Sequence, residues 1–182
     1  YKMLREVYEQ MTAEDCSVME LLCQEQNMKE ADREAFLEHF SSQKNVVAFC
    51  IMGGIFSEGI DLTGDRLIGS VVVGPGLPQV CNERKIMMDY FNTGKRTDTN
   101  ADSSVDGFKY AYLYPGINKV FQSAGRVIRT EDDTGVILLL DERFGTGEYN
   151  SLFPVEWQDA VFGNFDRLAQ KVENFWKREE EP

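Results

Sequence analysis

The amino-acid sequence predicts an α/β fold: a parallel sheet with helices on both faces. Four short apolar runs carry that expectation: VMELLC (Val18 to Cys23), VVAFCIM (Val46 to Met52), LIGSVVVG (Leu67 to Gly74) and VILLLD (Val136 to Asp141). Strands this continuously apolar are usually covered on both faces, which is the habit of a parallel sheet. Segments of helical period lie between the runs, as crossover connections in such a sheet require. Size agrees. With 182 residues, 42% of them apolar and 12% aromatic, the chain can bury one good core and is too short for a second full domain.

Taken in order, the opening YKMLREVYEQM reads as an amphipathic helix, and VMELLC as the weakest of the four strands. A helix over Lys29 to Phe40 leads to the second strand, VVAFCIM, which runs into GGIFSEGIDL (Gly53 to Leu62). After LIGSVVVG come a helix over Glu83 to Phe91 and the polar stretch NTGKRTDTNADSSVDG (Asn92 to Gly107), expected to be a long, mobile, exposed loop. Helices over Ile117 to Arg129 and Trp157 to Arg178 flank the last strand, and the acidic tail REEEP closes the chain. In such a layered fold ligands bind at the carboxyl ends of the strands, where GGIFSEGIDL begins.

Charge and cysteine usage exclude several functions. Against 19 basic residues stand 31 acidic ones, a net charge of −12 that repels a phosphate backbone over most of the surface. Any nucleic-acid contact must therefore be local. The four cysteines, Cys16, Cys23, Cys50 and Cys81, have only His39 to assist them and form neither a zinc knuckle nor a redox CxxC, so reduced thiols and no metal site are expected. No run approaches the roughly 20 apolar residues of a membrane span, and no signal peptide is evident, so a soluble, cytoplasmic protein without a membrane partner is expected.

Two constellations carry chemistry. GGIFSEGIDL ends a strand in two glycines and then sets Ser57, Glu58 and Asp61 close together. Glycines let a backbone approach a ligand closely, although a tight strand-to-helix turn with a polar cap would show the same pattern. In INKVFQSAGRVIR, at about 100° per residue, Ile117, Val120, Phe121, Ala124, Val127 and Ile128 share one side, and Lys119, Gln122, Arg126 and Arg129 the other. Charged faces are commonly just solvated. Here, however, Gly125 falls mid-helix at a cost of about 1 kcal/mol, and no acidic residue stands one turn from Arg126, while Asp132 and Asp133 follow Arg129. A guanidinium fork suits phosphate oxygens, so this face is a candidate anion binder. Gly94 and Lys95 do not make a P-loop, since Asp89 stands where its first glycine belongs and Arg96 where its Ser or Thr belongs.

GGIFSEGIDL followed by LIGSVVVGPGLP, then ERKIMMDYF, YAYLYPGINKVFQSAGRVIRTEDDTGVILLLDERF and LFPVEW resemble, over nearly the whole chain, the second RecA-like motor domain of the DinG- and XPD-like helicases of superfamily 2. GIFSEGID resembles motif V and QSAGRVIR motif VI. The resemblance implies that Gln122, Arg126 and Arg129 face the nucleotide, with the arginines as fingers on the γ-phosphate. It implies that Gly59 and Asp61 lie near that nucleotide, and that Ser57 and Glu58 couple the site to single-stranded DNA. Glu58 is expected to orient a donor, since a carboxylate repels phosphate. Lys119, with Arg84 and Lys85, is a candidate contact to the DNA backbone. The implied cofactor is ATP with Mg, held mainly by the first motor domain of the same parent chain. An iron–sulfur cluster, where the parent has one, would belong to that domain. The 182 residues alone are expected neither to hydrolyse ATP nor to unwind DNA. Two readings from other classes stand beside this one: a non-catalytic interaction module with an acidic surface, and a freestanding nucleotide-binding protein, which the absent P-loop weakens.

Overall fold

The computed structural model describes residues 1–14, 18–42, 45–56, 62, 66–93 and 105–179. All four apolar runs contain strands, each shorter than its run: β1 (Glu20–Cys23), β2 (Val46–Phe49), β3 (Gly69–Val73) and β4 (Val136–Leu140). Every pairing is parallel. β1 lies against β2 with Cys23 opposite Phe49, and β3 against β4 with Gly69 opposite Val136. Among the described residues these form two two-stranded sheets.

The first helices match the sequence expectation closely: α1 (Lys2–Ala13), α2 (Glu30–Ser42) and α3 (Asn82–Thr93). Asp32 starts α2 by accepting the Lys29 N–H, satisfying one of the donors that a helix start leaves open. At the far end of α2, His39 Nδ1 lies 2.8 Å from Glu20 Oε1 at the start of β1. The polar stretch expected over Asn92 to Gly107 is shorter than that. Asn92 and Thr93 close α3, Gly107 opens the next helical segment, and residues 94–104 lie outside the described residues. Its two sides meet where Asn92 Oδ1 accepts the Gly107 N–H at 2.8 Å, and any side chain on Gly107 would collide with Met88 O.

The expected helix over Ile117 to Arg129 is displaced toward the amino terminus. A π-helical turn (Lys109–Leu113) runs directly into α4 (Tyr114–Ala124), which stops at Gly125. Proline explains the first half. Pro115 has no N–H to donate to Ala111 O four residues back, and Arg84 Nη1 supplies a donor there at 3.1 Å. Arg84 is thereby committed to holding α3 against this turn. The last turn tightens through bonds from Arg126 N to Ser123 O and Val127 N to Ala124 O, which end the α-helical ladder. The Asp133 carboxylate then takes the Arg129 and Thr130 N–H groups, at 2.9 and 2.8 Å. Gly125 thus caps a helix and does not interrupt one.

The expected helix over Trp157 to Arg178 also needs correction. Val155–Trp157 is a single 3₁₀ turn, and α6 (Phe165–Glu179) begins only after Asn164, whose side chain accepts the Arg167 N–H at 3.1 Å. Between β4 and that turn lie a 3₁₀ turn (Glu142–Gly145) and the short α5 (Gly147–Asn150). The core is built where α4 crosses β3: Val72, Leu113, Ile117, Val120, Phe144, Tyr149 and Phe153 are buried together, with Phe121 and Trp157 packed edge to face at their margin. Ile128, expected on the core side, is 43% exposed because it lies beyond the helix.

Candidate functional site

The turn that follows β2 is built from glycine and one buried amide. Gly54 N–H donates to Ile51 O at 2.8 Å, closing a β-turn whose third residue, Gly53, has φ +72°. That left-handed value is what a type II turn demands at this position, and it favours glycine. Gln24 stands next to the turn. It is the one buried polar residue among those described, 3% exposed, and follows the last residue of β1. Its backbone N–H extends the ladder to Phe49 O at 2.8 Å, and its side-chain Oε1 accepts the Ile51 N–H at 2.9 Å.

This turn abuts α4. A Cβ on Gly53 would lie 3.3 Å from Lys119 Cδ and Cε, so the lysine stem rests directly over that glycine. The GPG segment after β3 closes in from the other side. Gly76, at φ +65°, has no room for a Cβ between Met52 Sδ and Gly116 O, at 2.7 and 2.9 Å. Gly116 in turn faces Pro75 O, 2.7 Å from where its own Cβ would stand. The start of α4 is therefore seated on the carboxyl ends of β2 and β3 by contacts that only glycine permits.

The arginines sit elsewhere. α4 rises away from those strand ends, and at about 1.5 Å per residue its 11 residues span roughly 16 Å, the length of a five-residue strand. Its far end meets the amino ends of β3 and β4. There a Cβ on Gly135 would clash with Val127 Cγ1 and stand 2.8 Å from Ile68 O, which also accepts the Val136 N–H. The candidate residues expected on one face of a helix are thus strung out along α4 and beyond its end. Lys119 lies at the carboxyl-end turn and exposed Gln122 one turn on, while half-buried Arg126 and Arg129 lie past the helix at the opposite edge. Ser57, Glu58, Gly59 and Asp61 lie outside the described residues.

Sequence reasoning missed two features. The first is Gln24, whose only signal is a lone amide after an apolar run. The second is the pairing inside DERF, a segment quoted only for the resemblance, where Arg143 Nε and Nη2 donate to both Asp141 oxygens at 2.8 and 2.7 Å, and its backbone N–H donates as well. Those bonds from Arg143 hold the Asp141 carboxyl below its ordinary value, and the pairing raises Arg143 above its own. Asp141 serves here as the cap of the 3₁₀ turn. A groove of about 510 Å³ alongside β4 is lined by Leu138, Phe153 and Trp157 and by carboxylates such as Glu142 and Asp159, with no lysine or arginine. Its sign is wrong for a phosphate. Among the described residues Cys23, Cys50 and Cys81 are free thiols, no three His, Cys, Asp or Glu side chains are grouped to hold a metal ion, and no helix is long and apolar enough to cross a membrane.

Residues 1–160 match the model of the helicase C-terminal domain. The chain belongs to that family. A regulator of telomere elongation helicase 1 homolog of Caenorhabditis elegans is 27% identical over 152 residues, which cover 81% of this chain and 15% of that protein. The ATP-dependent DNA helicase CHL1 of Coccidioides immitis is 30% identical over 148 residues, covering 75% of the chain and 17% of its own length. The chain thus spans less than a fifth of either relative. A solved XPD helicase superposes with a TM-score of 0.56 at 18% identity, over 82% of this chain and 28% of that one, which establishes a RecA-like α/β fold. The α/β expectation and the resemblance are borne out at this level.

Proposed function

We propose that this domain is the second motor domain of an ATP-dependent DNA helicase and supplies arginine fingers together with part of the single-stranded DNA track. One observation carries the reading: Lys119, Gln122, Arg126 and Arg129 follow one another along α4 and the turn after it, with the Lys119 stem resting over Gly53 at the carboxyl end of β2. A row of donors suits an anion such as a triphosphate, and among the described residues no three His, Cys, Asp or Glu side chains are grouped to hold Mg, which in this reading is left to another domain.

In this reading Arg126 and Arg129 reach a γ-phosphate held by the N-terminal motor domain of the same parent. Gln122, Gly59 and Asp61 line the same cleft, while Ser57 and Lys119 face the DNA strand and Glu58 orients a neighbouring donor. ATP with Mg supplies the phosphoanhydride whose cleavage separates the two domains, and alternate closing and opening steps the protein along a single strand. An iron–sulfur cluster, where the parent carries one, lies in the first motor domain. Two guanidinium groups would stabilise charge on a transferring phosphoryl group, and the Asp133 bonds to the backbone and the tight turn at Gly125 hold the segment that carries them.

The test is DNA-stimulated ATP hydrolysis by the full-length parent carrying Arg126→Ala or Arg129→Ala. Turnover is expected to fall by about 10³-fold while nucleotide binding persists. Unchanged turnover would make the arginines surface residues and favour the interaction-module reading.

A further inference from the structure

The buried amide of Gln24 has a role that the motif residues do not explain. Where β1 leaves its partner, parallel pairing would end and the Ile51 N–H would lose its acceptor. Gln24 Oε1 replaces the missing backbone carbonyl at 2.9 Å. The other half of the amide faces outward along the same turn. Nε2 donates to the Tyr1 hydroxyl oxygen at 3.3 Å and stands 3.2 Å from where a Cβ on Gly54 would be. One side chain therefore holds the first residue of the Ile51–Gly54 turn by a hydrogen bond and stands beside the last, leaving little room there for any residue but glycine. The turn itself carries Gly53 beneath Lys119 and launches the GIFSEGID segment.

A buried amide costs free energy unless it is bonded, and apolar side chains of similar volume are available for plain packing. Its cost is offset here by a defined placement of the turn. We infer that Gln24 is a positioning residue: it sets the height and direction of the Ile51–Gly54 turn on which the Lys119 stem rests, and so holds the DNA-facing end of the α4 row in place. This inference rests on the helicase reading given above.

The experiment uses the full-length parent with Gln24→Leu, which removes both polar functions, and Gln24→Glu, which keeps an acceptor for the Ile51 N–H. Basal and DNA-stimulated ATP hydrolysis are measured beside thermal unfolding and amide exchange at Ile51. Gln24→Leu is expected to lower the ratio of stimulated to basal turnover about tenfold, with the KM for ATP unchanged, and to speed exchange at Ile51. Gln24→Glu is expected to restore the ratio to within about threefold. Equal losses in basal and stimulated turnover would reduce Gln24 to a structural residue and overturn the inference, as would a Gln24→Glu variant no better than Gln24→Leu. If Gln24→Leu does not fold, the Gln24→Glu ratio decides alone. A wild-type parent without DNA stimulation would sink the helicase reading, whereas normal stimulation in both variants would sink only the role of Gln24. In a parent without stimulation, unchanged exchange at Ile51 in Gln24→Leu would overturn the positioning role as well.

Discussion

Gly76 and Gly116 meet across the carboxyl end of β3 with backbone oxygens where their side chains would be, so the seat of α4 is decided by the absence of two Cβ atoms. Gln24 acts at the same scale through one amide. So does Arg143, which embraces Asp141 with three bonds. Because the folded carboxyl of Asp141 is depressed, the pairing contributes stability above the ordinary carboxylate range, and that contribution is lost as pH falls through the folded value. Arg143→Ala should therefore lower the melting temperature of the parent modestly at pH 7. The gap from wild type should close as the pH is taken below 4, which thermal melts across that range would check. A gap that stays constant with pH would mean that the pair contributes nothing through Asp141.

At the scale of elements, helix ends matter more here than helix middles. The register of α4 is set by Pro115, by the π-helical turn before it and by the Arg84 bond to Ala111 O. One donor of Arg84 is thus used within the fold, while Lys85 stays exposed. α6 starts from Asn164, which accepts the Arg167 N–H three residues on, whereas in α2 the bond runs the other way, from the Lys29 N–H to Asp32 inside the helix. Asn164→Ala should cost about 1 kcal/mol and fray the first turn of α6. Amide exchange at Phe165 to Leu168 would show it, and protection equal to wild type would mean that another group caps the helix.

For the molecule as a whole, a net charge of −12 confines phosphate contacts to local clusters of basic residues, of which the row along α4 is the one proposed above. The 182 residues contain no P-loop, and the charged residues lining the groove beside β4 are acidic. The isolated chain is therefore expected to release no phosphate from ATP above background, with or without single-stranded DNA. Measurable turnover would mean that the nucleotide is held within this chain, and would favour the freestanding nucleotide-binding reading over a shared site.

Hydrophobic runs and motif spacing were sufficient for the α/β class, for four strands in parallel and for the helicase family, because burial period and glycine-bearing motifs are local properties of the chain. Helix limits were less legible: Ile117 to Arg129 and Trp157 to Arg178 have helical period, but Pro115, Gly125 and Asn164 redirect backbone hydrogen bonds that periodicity does not register. Only the folded chain showed that Lys119 and the two arginines stand at opposite ends of α4, since that distance follows from where Gly116 and Val127 find their partners on the strands. Gln24 belongs to the same category. Its neighbour Ile51 is 27 residues away, and the need for its amide arises only where two parallel strands part.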